Sequence, residues 1–252
     1  MNRASTLARH NDTNFQSAWL KIRQLSGRAR PPPDSTGGSR KSPLDFLDQV
    51  PENLIFYGII GTNGAIFLMW FLAKKRYEVE GDSTALRFMY QNFTGSWANF
   101  SSGRIWTLLT PMFSHSGFQH ILFNMFTFYF LGRSVLTILG TRRFLSLYIG
   151  GGLVSSLGSM FWNNSVKGRD PSSLGASGAV FATCSFLACV APWMTFSIYG
   201  IIPVPAFIFT SGVFAFDLYS AMTDKRQGTD TAGHVAGMLA GIGYFLLKRF
   251  GL

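Results

Sequence analysis

Charge is what this sequence has least of. Of 252 residues, 13% are charged and 47% hydrophobic, and that charged share is about half of what a soluble domain carries. A soluble globular fold is excluded on that ground, and the chain reads as a membrane protein. Cysteine is nearly absent: Cys184 and Cys189 lie five apart inside one apolar run, a spacing that suggests neither metal ligands nor a disulfide framework. Both read as apolar filling. Alternating barrel strands are missing, and so are a repeat of about 20 to 50 residues and the internal symmetry of transporters.

What is present is apolar length. Runs at about 54 to 73, 118 to 138, 143 to 162, 177 to 193, 199 to 222 and 232 to 247 approach the roughly 20 residues that cross about 30 Å of hydrocarbon. Six spans follow. Lipid offers no partner to an unpaired backbone group, so the expected fold is an all-α polytopic membrane protein. The fourth run is the shortest, and the fifth carries Pro203, Pro205 and Asp217, which blurs the boundaries there.

The first fifty residues are a different material. Met1 to Lys41 holds eight Lys or Arg, two Asp and no Glu, and runs out through "ARPPPDSTGGSRKSP" (29–43), a disordered linker by composition. An Arg-rich, acid-poor leader resembles a mitochondrial transit peptide; the alternative is a solvated basic tail beside an anionic membrane surface. The expected division is a leader and linker over 1–50 and a six-helix domain over 51–252. The net charge of +10 then reflects topology and targeting, and no nucleic-acid partner is expected.

Lys and Arg also orient the spans. With the N-terminus inside, that face holds the eight leader charges plus Arg133, Arg142, Arg143, Lys248 and Arg249, thirteen against nine on the other. The positive-inside rule favours this arrangement. Alternating directions then put the starts of the second, fourth and sixth spans at one depth on the outer face. Those starts carry His115, His120 and Asn124, then Ser177, then His234.

Polar side chains in hydrocarbon are costly unless paired or hydrated, and a functional role is the first hypothesis for them. His120 and Asn124, in "HILFN", share a helix face. His234, Gly237 and Gly241, in "GHVAGMLAG", form one stripe, and small residues let a neighbouring backbone approach closely. Ser177, Gly178 and Ala182 offer the matching face on the fourth span, so contact between the two brings Ser177 near His234. An imidazole can take the proton of a serine hydroxyl as it attacks a carbonyl, and the sharp hypothesis is a serine hydrolase. The oxyanion would meet the Ser177 N–H, aided by the positive helix end, and the side chains of His120 and Asn124. Gly175, with Ala176, ends the loop and exposes the first N–H groups of that helix.

No carboxylate stands in a matching place, since Asp217 is the only acid within a span and lies late in the fifth; a Ser/His dyad is expected rather than a triad. The esterase elbow G-x-S-x-G is broken by Ala179. H-E-x-x-H is missing too, so neither a metal nor any cofactor is expected. Taken singly, Ser177 reads as a packing residue of a small-residue face before it reads as a nucleophile, and either histidine could be a satisfied core residue; their joint placement at one depth reverses that order.

Together, "HSGFQHILFNM" (115–125), "PSSLGASGA" (171–179) and "GHVAGMLAG" (233–241) resemble rhomboid intramembrane serine proteases, and "LYIGGGLVSSL" and "PVPAF" are most similar to the mitochondrial (presenilin-associated rhomboid-like) branch. The resemblance covers about 105 to 249. It implies a six-transmembrane-helix rhomboid bundle in the mitochondrial inner membrane, with another cellular membrane as the alternative; the charge count puts the site toward the intermembrane space. It implies Ser177 as nucleophile, His234 as general base, and His120 and Asn124 at the oxyanion site. His115 would belong to a polar network retaining water, and Phe181 would pack on the catalytic histidine; an ordinary apolar contact is the alternative for Phe181. The implied partners are transmembrane protein substrates within the lipid bilayer. A non-catalytic relative that binds or escorts transmembrane segments is the rival reading. Three departures stand out: Trp106 is followed by Thr107 where many rhomboids have arginine, no acid accompanies "GRSVLT", and residues 1 to 53 hold no run able to span where mitochondrial members often have an additional helix. The loop from 74 to 106, rich in Phe, Tyr and Trp, is expected to embed partly in the outer leaflet, with a plain extramembrane loop as the alternative.

Overall fold

The structure is a computed structural model and describes residues 44–198, 202–226 and 228–250; the basic leader through residue 43 lies outside them, as does the question of its disorder. The apolar runs fold as helices because each helix satisfies its backbone groups internally. In chain order they are α1 (Glu52–Glu80), α2 (Thr84–Phe93), α3 (Trp97–Ser101), α4 (Phe118–Leu139), α5 (Thr141–Val166), α6 (Ser177–Val190), α7 (Ala206–Thr223) and α8 (Thr231–Arg249). Helices α1, α4, α5 and α7 are long and apolar enough to cross a membrane. The shorter apolar α6 and the glycine-rich α8 complete the bundle of six.

Helix α6 is its centre. From Gly178 to Val190 almost every residue is buried, which is the expected place for a helix that is apolar on all sides. Glycines set how close its neighbours come. A methyl group at Gly237 would lie 3.0 Å from the carbonyl carbon and Cα of Gly178, and one at Gly241 would run into Ala182 and Ser185. These approaches leave α6 and α8 in backbone contact, and Ser185 Oγ donates to the Met238 carbonyl across the seam (2.9 Å). On the other side, α5 contributes Gly151 against Ala182.

Toward the inner face, aromatic rings fill the bundle. Phe56 of α1 stacks on Phe128 of α4 with ring centroids 5.3 Å apart, and Phe128 meets Tyr148 of α5 edge-on at 5.4 Å. The segment just before α1, which the sequence reading places in the leader, turns in a 3₁₀ coil (Asp45–Gln49). Arg142 holds it by ion pairs to Asp45 and Asp48.

The fifth span starts later than its hydrophobicity suggests. Strands β1 (Thr195–Ile198) and β2 (Ile202–Pro205) pair antiparallel ahead of α7, with Thr195 opposite Pro205 and Ser197 opposite Pro203. Two prolines lack the N–H that a helix interior would require and tolerate an edge strand, so the helix begins only after Pro205.

The outer loop between α1 and α4 is folded. Met89 of α2 packs on Trp70 and Ala73 of α1, while Phe88, Tyr90, Trp97, Ile105 and Trp106 remain exposed. Asparagines brace it where arginine is missing: Trp106 Nε1 donates to Asn92 Oδ1 (3.1 Å), and Asn99 Nδ2 donates to the carbonyls of Tyr90 (2.9 Å) and Thr94 (3.1 Å). Asp170 accepts the Trp97 and Ala98 N–H groups at 2.6 and 2.8 Å, and Gly95 and Ser173 exchange backbone hydrogen bonds. The loop leading into α6 is thereby fastened to the outer loop.

Candidate active site

Ser177 opens α6 and His234 lies in the first turn of α8. The position of α8 is fixed by its cap: Asp230 Oδ1 accepts the Gly233 N–H (2.9 Å) and the hydroxyl of Ser159 on α5 (2.8 Å). Ser155 of α5 adds a bond to the Gly233 carbonyl (2.7 Å). With α8 so seated on α5 and α6, Ser177 Oγ is 2.8 Å from His234 Nε2.

A carboxylate completes the line, contrary to the expectation of a dyad with no acid in place. Asp217 Oδ2 lies 2.7 Å from His234 Nδ1, and Asp217 is 1% exposed. Asp217 sits near the outer end of α7, so its depth matches that of the other two. With Nδ1–H donated to the carboxylate, Nε2 is left as acceptor for the serine O–H. The second oxygen, Oδ1, accepts from Arg226 (2.7 Å).

The remaining expected residues surround this array. Phe181, one turn along α6 from Ser177, packs its ring on His234 with centroids 4.7 Å apart. Gly175 has φ of +135°, and a Cβ there would come within 2.7 and 2.8 Å of His120 Cε1 and Nε2. The glycine therefore serves two ends: it makes the turn into α6 and leaves room for the His120 imidazole beside Ser177. Asn124, one turn deeper on α4, donates from Nδ2 to the His120 carbonyl (2.9 Å).

His115 is fully buried and packs edge-on against His120, centroids 4.8 Å apart. Its Nε2 accepts the Ala176 N–H (3.3 Å), while Gly175 N–H donates to the Pro111 carbonyl (2.9 Å). Both loop N–H groups are thus occupied. The first N–H groups of α6, that of Ser177 among them, have no intrahelical partner. Burial pushes the His115 imidazole down to about 3, with the neighbouring His120 adding to the effect.

Two cavities serve the array. One of about 410 Å³ opens at the outer ends of α5, α7 and α8, with His120, Arg169, Arg226 and Asp230 in its wall. A chamber of about 20 Å³ touches Ser177, His234, Gly175, Ser155 and Asp230, and is large enough for one water. The outer end of α7 is tied to that of α5: Trp162 Nε1 donates to the Ala221 carbonyl (3.3 Å) and Lys167 Nζ to that of Met222 (2.9 Å). Asp224 adds ion pairs to Lys167 (3.0 Å) and Arg169 (2.7 Å), and the hydrogen bond from Lys167 leads the effects that hold its carboxyl below the usual range.

Comparison with known proteins gives the family. Residues 102–249 match the Rhomboid domain. The chain is 30% identical over 215 residues to RHOMBOID-like protein 12, mitochondrial, of Arabidopsis thaliana, covering 80% of this chain and 60% of the relative. It is 28% identical over 210 residues to Rhomboid protein 1, mitochondrial, of Saccharomyces cerevisiae, covering 82% and 57%. To the human Presenilin-associated rhomboid-like protein, mitochondrial, it is 30% identical over 192 residues, covering 74% and 46%. The chain thus spans about half to three fifths of the length of these relatives. With its membrane-spanning helices, it is a multi-pass mitochondrial membrane protein. An array at the outer ends of α6, α7 and α8, all within a matched domain that covers more than half of the chain, leaves one conclusion: the chain belongs to the rhomboid family.

Proposed function

We propose that this protein is an intramembrane serine endopeptidase of the mitochondrial inner membrane that cleaves transmembrane segments of membrane-anchored substrates. The observation that carries the reading is the 2.8 Å separation of Ser177 Oγ and His234 Nε2, already hydrogen-bond distance without any helix movement. In the first half-reaction Ser177 Oγ attacks the scissile carbonyl carbon while His234 Nε2 takes the hydroxyl proton. The developing oxyanion is met by the Ser177 N–H and by His120, with Asn124 behind it; a single such donor is worth about 100 to 1,000-fold in rate. Collapse of the intermediate sends the His234 proton to the leaving amine and leaves an acyl-serine. A water in the small chamber then gives its proton to His234 and its oxygen to the acyl carbon; the ester bond to Ser177 Oγ breaks, Oγ takes the proton back from His234, and the new carboxyl end is freed.

A transmembrane helix hides its carbonyls, so the substrate must unwind before it reaches Ser177, and residues that weaken a helix make this cheaper. The large cavity supplies the polar space for the unwound stretch. Entry from the side requires α7 to part from its neighbours, and its contacts suit that task. Its inner start is a proline-containing hairpin, and its outer end is held by a few polar bonds that include half-exposed ion pairs.

The test is cleavage of a membrane-anchored reporter in liposomes together with labelling by a serine-directed fluorophosphonate. Ser177→Ala and His234→Ala are expected to lose cleavage while inserting normally, and labelling is expected to vanish in Ser177→Ala. Comparable turnover by Ser177→Ala ends the hydrolase reading. A folded wild-type chain that neither labels nor cleaves, but retains the reporter segment, is instead the non-catalytic binder.

A further inference from the structure

We infer that Asp217 and Arg226 act as a positioning pair for His234: the Asp217 carboxylate fixes the tautomer and ring angle of the imidazole, and Arg226 fixes the carboxylate. This rests on the serine endopeptidase reading above. Neither residue touches the reacting atoms, and both act through His234.

Three observations support it. The two oxygens of Asp217 are divided, Oδ2 to His234 Nδ1 and Oδ1 to Arg226 Nη1, each at 2.7 Å. A carboxylate buried in a span is costly unless its charge and lone pairs are met, and here both partners are met at hydrogen-bond distance. The other cations nearby are committed elsewhere: Lys167 and Arg169 pair with Asp224, and Lys225 lies over the Tyr219 ring at 5.1 Å. Arg226 alone among these four reaches Asp217. A purely structural ion pair would also have no reason to include the imidazole, yet His234 meets Asp217 Oδ2 through Nδ1, the ring nitrogen opposite the one that faces Ser177.

The chemistry follows from the direction of those bonds. Donation of Nδ1–H to Asp217 keeps the lone pair on Nε2, the atom that must receive the Ser177 proton. When that proton arrives, the imidazolium forms beside a fixed negative charge, which stabilises it more than it stabilises the neutral ring. Arg226 prevents the carboxylate from turning away, because a side chain held at both oxygens has no free rotation left. Its side chain is 40% exposed, so it can be replaced without leaving an empty space in the bundle.

The experiment uses the full chain in liposomes and reads kcat and KM on the reporter, the rate of fluorophosphonate labelling of Ser177, and thermal unfolding. Asp217→Asn is nearly isosteric, but its amide can donate to Nδ1 and so favour the tautomer with hydrogen on Nε2. It is expected to lower kcat and labelling by at least 100-fold with KM within threefold of wild type. Asp217→Glu, which keeps the carboxylate, is expected to recover at least tenfold over Asn. Arg226→Gln is expected to lower kcat about tenfold, Arg226→Lys to regain most of it, and the double variant Asp217→Asn with Arg226→Gln to be no slower than Asp217→Asn alone, since residues acting as a unit are non-additive. Labelling of Asp217→Asn within threefold of wild type overturns the pair. Arg226→Gln raising KM alone overturns the part given to Arg226. If Asp217→Asn does not fold, the Arg226→Gln and Arg226→Lys contrast decides. A wild-type chain that neither labels nor cleaves overturns the endopeptidase reading and the pair with it, whereas a reactive wild type beside an equally reactive Asp217→Asn overturns the pair only.

Discussion

Gly237 of α8 lies directly against the main chain of Gly178 in α6, so near that a methyl at 237 would stand 3.0 Å from two backbone atoms and closer still to the Gly178 carbonyl oxygen. Those two positions are next to the chemistry, one residue after Ser177 and three after His234.

Gly237→Ala therefore tests the seam. In an unhindered helix the change would add stability, by about 1 kcal/mol of helix propensity. Here overpacking is expected to cost about 1 to 3 kcal/mol and to push His234 away from Ser177. Turnover of a membrane-anchored reporter should fall at least tenfold, with a lower melting temperature in detergent. A rise in melting temperature at unchanged turnover would mean that the seam is loose.

Gly175→Ala strikes the same site from the loop. It adds a side chain at φ of +135° and sets its Cβ 2.7 Å from His120 Cε1, so backbone strain of about 1 to 3 kcal/mol comes with displacement of the imidazole. The expected outcome is a loss of kcat of more than tenfold while the protein still inserts and melts cooperatively. Normal kcat would remove His120 from the oxyanion site.

Asn124→Ala separates catalysis from packing. Its amide bonds the His120 carbonyl, a local contact worth about 1 kcal/mol, whereas support of an oxyanion is worth about 100-fold or more. Turnover is expected to fall well beyond what the change in unfolding free energy accounts for. Equal losses in both would make Asn124 a packing residue.

Acid should act through His115. The folded protein holds this imidazole neutral to about 3, against an ordinary value of 6.5. Below 6.5 the unfolded chain takes up a proton that the folded chain refuses, so His115 costs the fold up to about 1.4 kcal/mol per pH unit from there toward pH 3. Above 6.5 it has no effect. Melting curves in detergent between pH 7 and 5 should show a shallower loss for His115→Gln than for wild type, and parallel curves would show that His115 does not contribute to the acid sensitivity.

Much of this was legible in the sequence because its chemistry lies in local spacing. His120 and Asn124 at i and i+4, and the His234, Gly237, Gly241 stripe, declare a helix face without any knowledge of the fold, and six spans bring the faces to one depth. Asp217 was harder. It stands 17 residues before His234, across a turn whose path no periodicity describes, so the sequence reading saw an acid late in the fifth span and no partner for it. The signal was nevertheless present: the same parity that puts His234 at the outer face puts the end of the fifth span there too, and a charge in hydrocarbon must find company. Arg226 gave no such sign, being one of several cations in a polar turn. The start of α7 was missed for a different reason, since hydrophobicity measures affinity for lipid and is blind to the missing N–H groups of Pro203 and Pro205. His115, expected in a polar network, meets the loop before α6 by accepting the Ala176 N–H, a contact between distant segments that no local spacing announces.

The chamber of about 20 Å³ beside Ser177 has a bearing on what the acyl-serine can become. Many serine enzymes with open sites pass their acyl group to whichever amine or alcohol is at hand, because nucleophiles compete on concentration and reactivity. A space that admits one water sorts them by girth instead. A bulky lipid amine from the surrounding bilayer is a poorer match for it than water is. On the endopeptidase reading, then, the smallness of this void favours hydrolysis of the acyl-serine over its capture by large foreign nucleophiles.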